Sequence, residues 1–179
     1  MHGKLLACKD IEDIRLHDIY LDERYRITKD EVVTLWQWFG STILDPSQIL
    51  PVRLSREWVD TLKKYDKQYS LITARNGNDP IKKQGTLAWI EKYFSEILPS
   101  KVFFVNHYVD GALPKSEVCK IQWITLMIDD HIANAQDLCE HGIACILLEK
   151  SWNRHETFDH PLLYRVQDWQ EIIDSLYAK

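Results

Sequence analysis

Ile124-Thr125-Leu126-Met127-Ile128-Asp129-Asp130-His131-Ile132-Ala133-Asn134-Ala135 is the stretch whose reading decides the fold. Residues 124–128 form a nearly all-apolar strand. A strand without polar alternation is buried on both faces, which marks a parallel sheet covered by helices on each side. The run ends abruptly in two adjacent carboxylates. Residues 133–141 then read as a helix stopped by Gly142, and residues 143–148 as a second apolar strand. Strand, helix and strand in that order make a parallel crossover unit.

The same alternation extends outward. Upstream, Tyr69-Ser70-Leu71-Ile72 is a short strand, and Asp79-Pro80 opens a helix with proline where its missing N–H costs nothing. Ile81, Ala88, Ile90, Tyr93 and Phe94 supply that helix's apolar positions, residues 101–106 (KVFFVN) form another strand, and residues 116–122 a helix. Downstream, Asp168-Trp169-Gln170-Glu171 caps a last helix running to about Tyr177. The first part of the chain is less regular. Thr28-Lys29-Asp30-Glu31 is a capping box ahead of Val32, Val33, Trp36 and Phe39, and Gly40 ends that segment. Pro46 and Pro51 bracket a loop, after which Leu54, Trp58 and Leu62 recur at helical spacing with Lys63 and Lys64 at the C-terminal end. The expected fold class is therefore α/β: a mainly parallel sheet with helices on both faces.

Bulk properties bound the function. The chain has 179 residues, 45% hydrophobic and 27% charged, with a net charge of −5. This suits one domain with a substantial core, and argues against a nucleic-acid polymer or a membrane as partner. Residues 1–10 hold no signal-peptide pattern and no run reaches the length of a membrane span, so a cytoplasmic location is expected. The four cysteines form no CxxC pair and the seven histidines no HxxH, so buried free thiols are expected and a zinc site is not. Trp36, Trp58 and Trp89 fall on helix faces and read as core rather than as stacking platforms for bases.

In parallel sheets, ligands bind at the carboxyl ends of the strands. Three such ends carry suggestive groups. Thr73-Ala74-Arg75 offers a hydroxyl and following amides to a phosphate, although the same three residues also make an ordinary turn. Asp129 and Asp130 are oxygen ligands suited to a hard ion such as Mg2+, or else they cap the helix starting near Ile132. Lys115, after Pro114, is a point charge for a phosphate or a carboxylate, or a solvated side chain.

Taken in order, these residues resemble the haloacid dehalogenase (HAD) superfamily. Leu71-Ile72-Thr73-Ala74-Arg75 is similar to its motif II, Lys115 with Ser116-Glu117-Val118-Cys119-Lys120 to motif III, and Leu126 through Ala135 to motif IV. Within the superfamily the likeness is to bacterial nucleotidases related to the 5'(3')-deoxyribonucleotidases. It extends to Ile11–Ile19 as cap sequence, to Ser151-Trp152-Asn153-Arg154, and to Tyr164-Arg165-Val166-Gln167-Asp168-Trp169 as the opening of the last helix. The resemblance implies a Rossmann-like HAD core over residues 51–179 with a small helical cap from residues 1–50. It further implies Mg2+-dependent hydrolysis of a small phosphate ester, such as a nucleotide. Thr73 and Lys115 would be the catalytic contacts, Arg75 and Asn134 would bind substrate, and Asp129 and Asp130 would hold Mg2+. Lys115 suits motif III better than Lys120, which would lie on the helix surface.

One part of the pattern is not found. The family's motif I is an apolar strand ending in Asp-x-Asp, and its first aspartate is the nucleophile. The nearest segment, Leu5-Leu6-Ala7-Cys8-Lys9-Asp10-Ile11-Glu12, runs almost directly into cap-like sequence, so Asp10 is not favoured as nucleophile. The motif I strand lies in the sheet interior between those of motifs II and IV. Its loss would leave two strand edges to be filled by residues 4–8 or by a second copy of the chain, which would favour a homodimer. Three expectations follow: a phosphatase with turnover far below that of an intact relative, a non-catalytic protein keeping a phosphate- and metal-binding rim, or a reading frame starting downstream of the natural one.

Overall fold

The computed structural model describes residues 26–32, 34, 49–105 and 111–177. Most of the cap-like segment, including Ile11–Ile19, the run at residues 4–8, Asp10, Cys8, Val33, Trp36, Phe39 and Gly40, lies outside the described residues.

The elements alternate as the apolar runs require. Helix α1 is Ser55–Lys64, strand β1 Leu71–Thr73, helix α2 Pro80–Tyr93 and strand β2 Val102–Phe104. Helix α3 (Lys115–Ile121), strand β3 (Leu126–Asp129), helix α4 (Ile132–Glu140) and strand β4 (Ala144–Leu148) follow, then strand β5 (Leu163–Val166) and helix α5 (Trp169–Tyr177). All strand pairings among the described residues are parallel. The protein is a mixed α/β structure.

Local signals explain most boundaries. Thr28 and Glu31 form the reciprocal capping box: the Glu31 amide donates to Thr28 Oγ1 at 3.2 Å and the Thr28 amide to Glu31 Oε2 at 2.8 Å. Asp79 caps α2, its Oδ1 accepting from the amides of Ile81 and Lys82 at 3.0 and 3.2 Å. Those amide bonds, that from Lys82 foremost, hold the Asp79 carboxyl below its ordinary range. Asp168 Oδ1 caps α5 through the amides of Gln170 and Glu171. At the end of α4, Gly142 has φ 76° and the Ile143 amide reaches back to the Leu138 carbonyl at 2.9 Å, the closure glycine favours. Helix α3 closes the same way, with the Ile124 amide on the Cys119 carbonyl at 2.8 Å, but Trp123 takes the left-handed position at φ 57°.

The strands fall into two groups. β1 pairs with β2, and β3, β4 and β5 form a second sheet in that order. Both groups share the same helical layers. Trp58 and Val59 of α1, Ile90 of α2, and Ile172 and Ile173 of α5 bury one face, against which pack Leu71, Val102, Ile128, Ile146 and Leu148. Cys119 of α3, with Ile132, Ala135, Leu138 and Cys139 of α4, buries the other, against Ile72, Met127, Cys145 and Leu147. Adjacent residues of a strand point to opposite faces, and Leu71/Ile72, Met127/Ile128 and Ile146/Leu147 obey that alternation in both sheets. The two sheets thus supply residues to the same two apolar faces. Among the described residues, β1, β2, β3 and β5 each pair on one side only.

Three expectations from sequence are corrected here. Residues 163–166 are a strand rather than the lead-in to the last helix, because they extend β4 with Tyr164 opposite Ile146 and Arg165 opposite Leu147. The apolar run at residues 124–128 is not buried throughout: Leu126 is 47% exposed, while Leu147 of β4 is fully buried. Ile81, expected on the apolar face of α2, is likewise exposed.

Two tests follow. Leu147→Ala removes a fully buried side chain and is expected to cost about 2–5 kcal/mol in urea unfolding, whereas Trp123→Gly, at an exposed left-handed position, should leave stability unchanged or raise it by up to about 1 kcal/mol. Burial also pushes the Cys119 thiol up to about 11, Cys145 to about 12, and raises Cys139. An unfolded thiol ionises near about 8.5, so above that pH the unfolded chain loses these protons first and stability should fall as pH rises toward 11. Unfolding midpoints measured from pH 8 to 11 check the sign, and the three thiols should resist alkylation in the folded protein at pH 8.

Candidate functional site

A parallel crossover brings the C-terminal end of each strand and the N-terminal end of each connecting helix to the same rim. Asp129 ends β3, and Lys115 begins α3, the helix leading into β3. Their side chains meet there: Lys115 Nζ lies 2.6 Å from Asp129 Oδ2, with the two side chains only 14% and 2% exposed. The next turn of chain completes the shell around the carboxylate. The His131 amide donates to Asp129 Oδ1 at 2.9 Å, and Asn134 Nδ2, in the first turn of α4, reaches both oxygens at 3.2 Å. Asp129 therefore accepts four hydrogen bonds, one from an ammonium, which is what a carboxylate withdrawn from water requires.

The structure thus brings together Lys115, Asp129 and Asn134. Asn134 is engaged with Asp129 in this arrangement. The alternative that the Asp pair caps α4 fits Asp129 only in part: its bond goes to the amide of His131, the residue preceding the helix, and His131 makes no side-chain cap. Asp130 contributes through its backbone. Its carbonyl accepts from Trp152 Nε1 at 3.1 Å and Asn153 Nδ2 at 2.8 Å.

Thr73 and Arg75 form a second group at the end of β1. The Arg75 amide donates to Thr73 Oγ1 at 3.3 Å, so one of the amides expected to face a phosphate turns onto the threonine hydroxyl instead. Arg75 Nη1 donates to Thr86 Oγ1 at 3.0 Å. The Arg75 residue as a whole is exposed, yet packing around the guanidinium lowers its hold on the proton. The loop beyond passes tightly over β2: a Cβ at Gly77 would lie 2.6 Å from Phe104 Cβ, so only glycine fits. No hydrogen bond among the described residues joins this group to Asp129. Lys120 lies on the surface of α3, paired with Glu117 at 2.8 Å, as expected for the lysine not chosen.

Mg2+ commonly takes one or two carboxylates and keeps water and substrate phosphate as its other ligands. Asp129 and Asp130 match that donor chemistry. Both oxygens of Asp129 are already engaged by protein donors. Among the described residues, no three His, Cys, Asp or Glu side chains cluster to hold a metal.

A cavity of about 540 Å³ lies beside this rim, lined by Glu149, Arg154, Phe158, Asp159 and Arg165 among others. It does not contain Lys115 or Asp129, and its cations are committed: Arg154 to Glu149 at 2.8 Å, Arg165 to the carbonyls of Asn153 and Glu156. The Lys115–Asp129 cluster is therefore the better candidate for chemistry.

No family model matches the chain, and no curated protein matches it. Among the described residues, no helix is long and apolar enough to cross a membrane. Sequence reasoning did not assign a role to Trp152 or Asn153. The available signal was their place just past an apolar strand, where rim residues collect.

The pair is directly testable. Asp129→Ala leaves the Lys115 ammonium buried without its carboxylate and should cost about 3–5 kcal/mol. Lys115→Met should cost less, because Asp129 keeps the His131 and Asn134 bonds. Urea unfolding of both single variants and the double variant yields the coupling between them.

Proposed function

We propose that the chain is a HAD-like protein whose rim binds a small phosphorylated molecule, a nucleotide being the representative case, together with Mg2+. The observation that carries this reading is the enclosed Lys115–Asp129–Asn134 cluster at the end of a parallel strand. A largely buried ammonium–carboxylate pair is costly to maintain for stability alone, and its ammonium is suited to offsetting phosphate charge. In this reading Thr73 and Lys115 contact the phosphoryl group, Arg75 contacts the substrate, and Asn134 does so by way of Asp129. Asp129 and Asp130 hold Mg2+, which supplies charge neutralisation when bound. The Rossmann-like HAD core would span residues 51–179, and the protein would work in the cytoplasm as a monomer or homodimer.

Hydrolysis needs an attacking carboxylate, and the family's Asp-x-Asp pattern is not found in this sequence. Binding with turnover orders of magnitude below that of an intact phosphatase is the expected outcome. A second reading, a non-catalytic phosphate- and metal-binding or assembly protein, is favoured by the complete satisfaction of Asp129 by its own neighbours.

Calorimetric titration with Mg2+ and a nucleoside monophosphate, paired with a phosphate-release assay, separates these readings. Saturable Mg2+-dependent binding weakened by Lys115→Met is expected for both, and turnover sensitive to Thr73→Val only for the first. Absence of binding would remove the proposal. Fast turnover abolished by Asp10→Asn would instead identify Asp10 as the nucleophile.

A further inference from the structure

Asn153 is 1% exposed and spends every polar atom of its side chain on backbone at the rim. Nδ2 donates to the Asp130 carbonyl at 2.8 Å and to the Leu148 carbonyl at 2.9 Å, while Oδ1 accepts from the Lys150 amide at 2.9 Å. One primary amide thus ties the exit of β3 to the exit of β4. Trp152 Nε1 adds a bond to the same Asp130 carbonyl at 3.1 Å. Behind them Arg165 of β5 holds the Asn153 carbonyl at 3.3 Å and the Glu156 carbonyl at 2.5 Å, so the loop after β4 is anchored on its far side as well.

This arrangement asks for one side chain. Aspartate would replace two donors with oxygens facing two carbonyls, and glutamine is a methylene too long for a site without free space. A structural loop clip could have used any nearby carbonyl. The acceptor here is the residue between Asp129 and His131, whose amide orients Asp129. We propose that Asn153 is a positioning residue for the Asp129–Asp130 turn, fixing the Asp130 peptide so that the His131 amide holds Asp129 where it meets Lys115. The inference rests on the phosphate- and metal-binding reading for its functional meaning, but its structural core can be measured without any ligand.

The experiment compares the full chain carrying Asn153→Ala with Leu147→Ala, a core variant expected to lower global stability without touching the turn. Amide exchange at His131 is measured in each and corrected for global unfolding. Asn153→Ala should raise the corrected His131 rate by about 10-fold or more, with Mg2+ affinity falling by about the same factor, as is common when a group supporting a metal ligand is lost. Leu147→Ala should leave the corrected rate unchanged. If His131 in Asn153→Ala merely tracks global unfolding, the positioning role is wrong. Should Asn153→Ala fail to fold, Trp152→Phe removes one bond to the same carbonyl and decides the matter: a corrected His131 rate raised about 2–3-fold supports the role, and an unchanged rate overturns it. A wild-type chain that binds neither Mg2+ nor inorganic phosphate removes the functional reading, while the exchange result still decides the positioning.

Discussion

A carboxylate that is 2% exposed must be answered from within the protein, and most of the rim is organised around answering Asp129. An unpaired charge there would cost several kcal/mol on the order of a domain's whole net stability. The answer comes from separate parts of the chain: the first residue of α3, the backbone of the turn after β3, and the first turn of α4. Each can reach Asp129 only because parallel crossovers return helix starts to the end of the sheet where strands finish. The topology and the ion pair thus require each other.

The sheet around this cluster is unevenly protected. β4, flanked by β3 and β5, alternates buried residues along its length, while β1 is only partly buried and β3 begins with the half-exposed Leu126. Strands as apolar as β1 and β3 are normally enclosed on both faces and both edges. Both strands are edges of their sheets among the described residues, and both sheets supply residues to the same two apolar clusters.

Much of this was legible in the sequence, for identifiable reasons. Unbroken apolar runs marked β1 to β4 to within one or two residues, and capping chemistry at Asp79, Gly142 and Asp168 marked three helix ends. β5 was missed because Leu163-Tyr164-Arg165-Val166 alternates like an exposed edge and runs straight into a helix cap. At the site, spacing identified Lys115 and the Asp pair as rim residues, but not that they would pair with each other, which depends on how α3 returns to the sheet. Asn153 carried no signal at all by residue type, since an asparagine after a strand is usually a turn residue.

The division of the strands also bears on how the chain reaches its native state. β1 and β2 are joined across α2, β3 and β4 across α4, and β5 adds directly to β4, so every described pairing closes between neighbours in the sequence. None requires a long loop to be shut in advance. Pairing between successive strands lowers the entropic cost of assembly relative to pairings across the whole chain, while α1, α2 and α5 cover both groups of strands with a common apolar face.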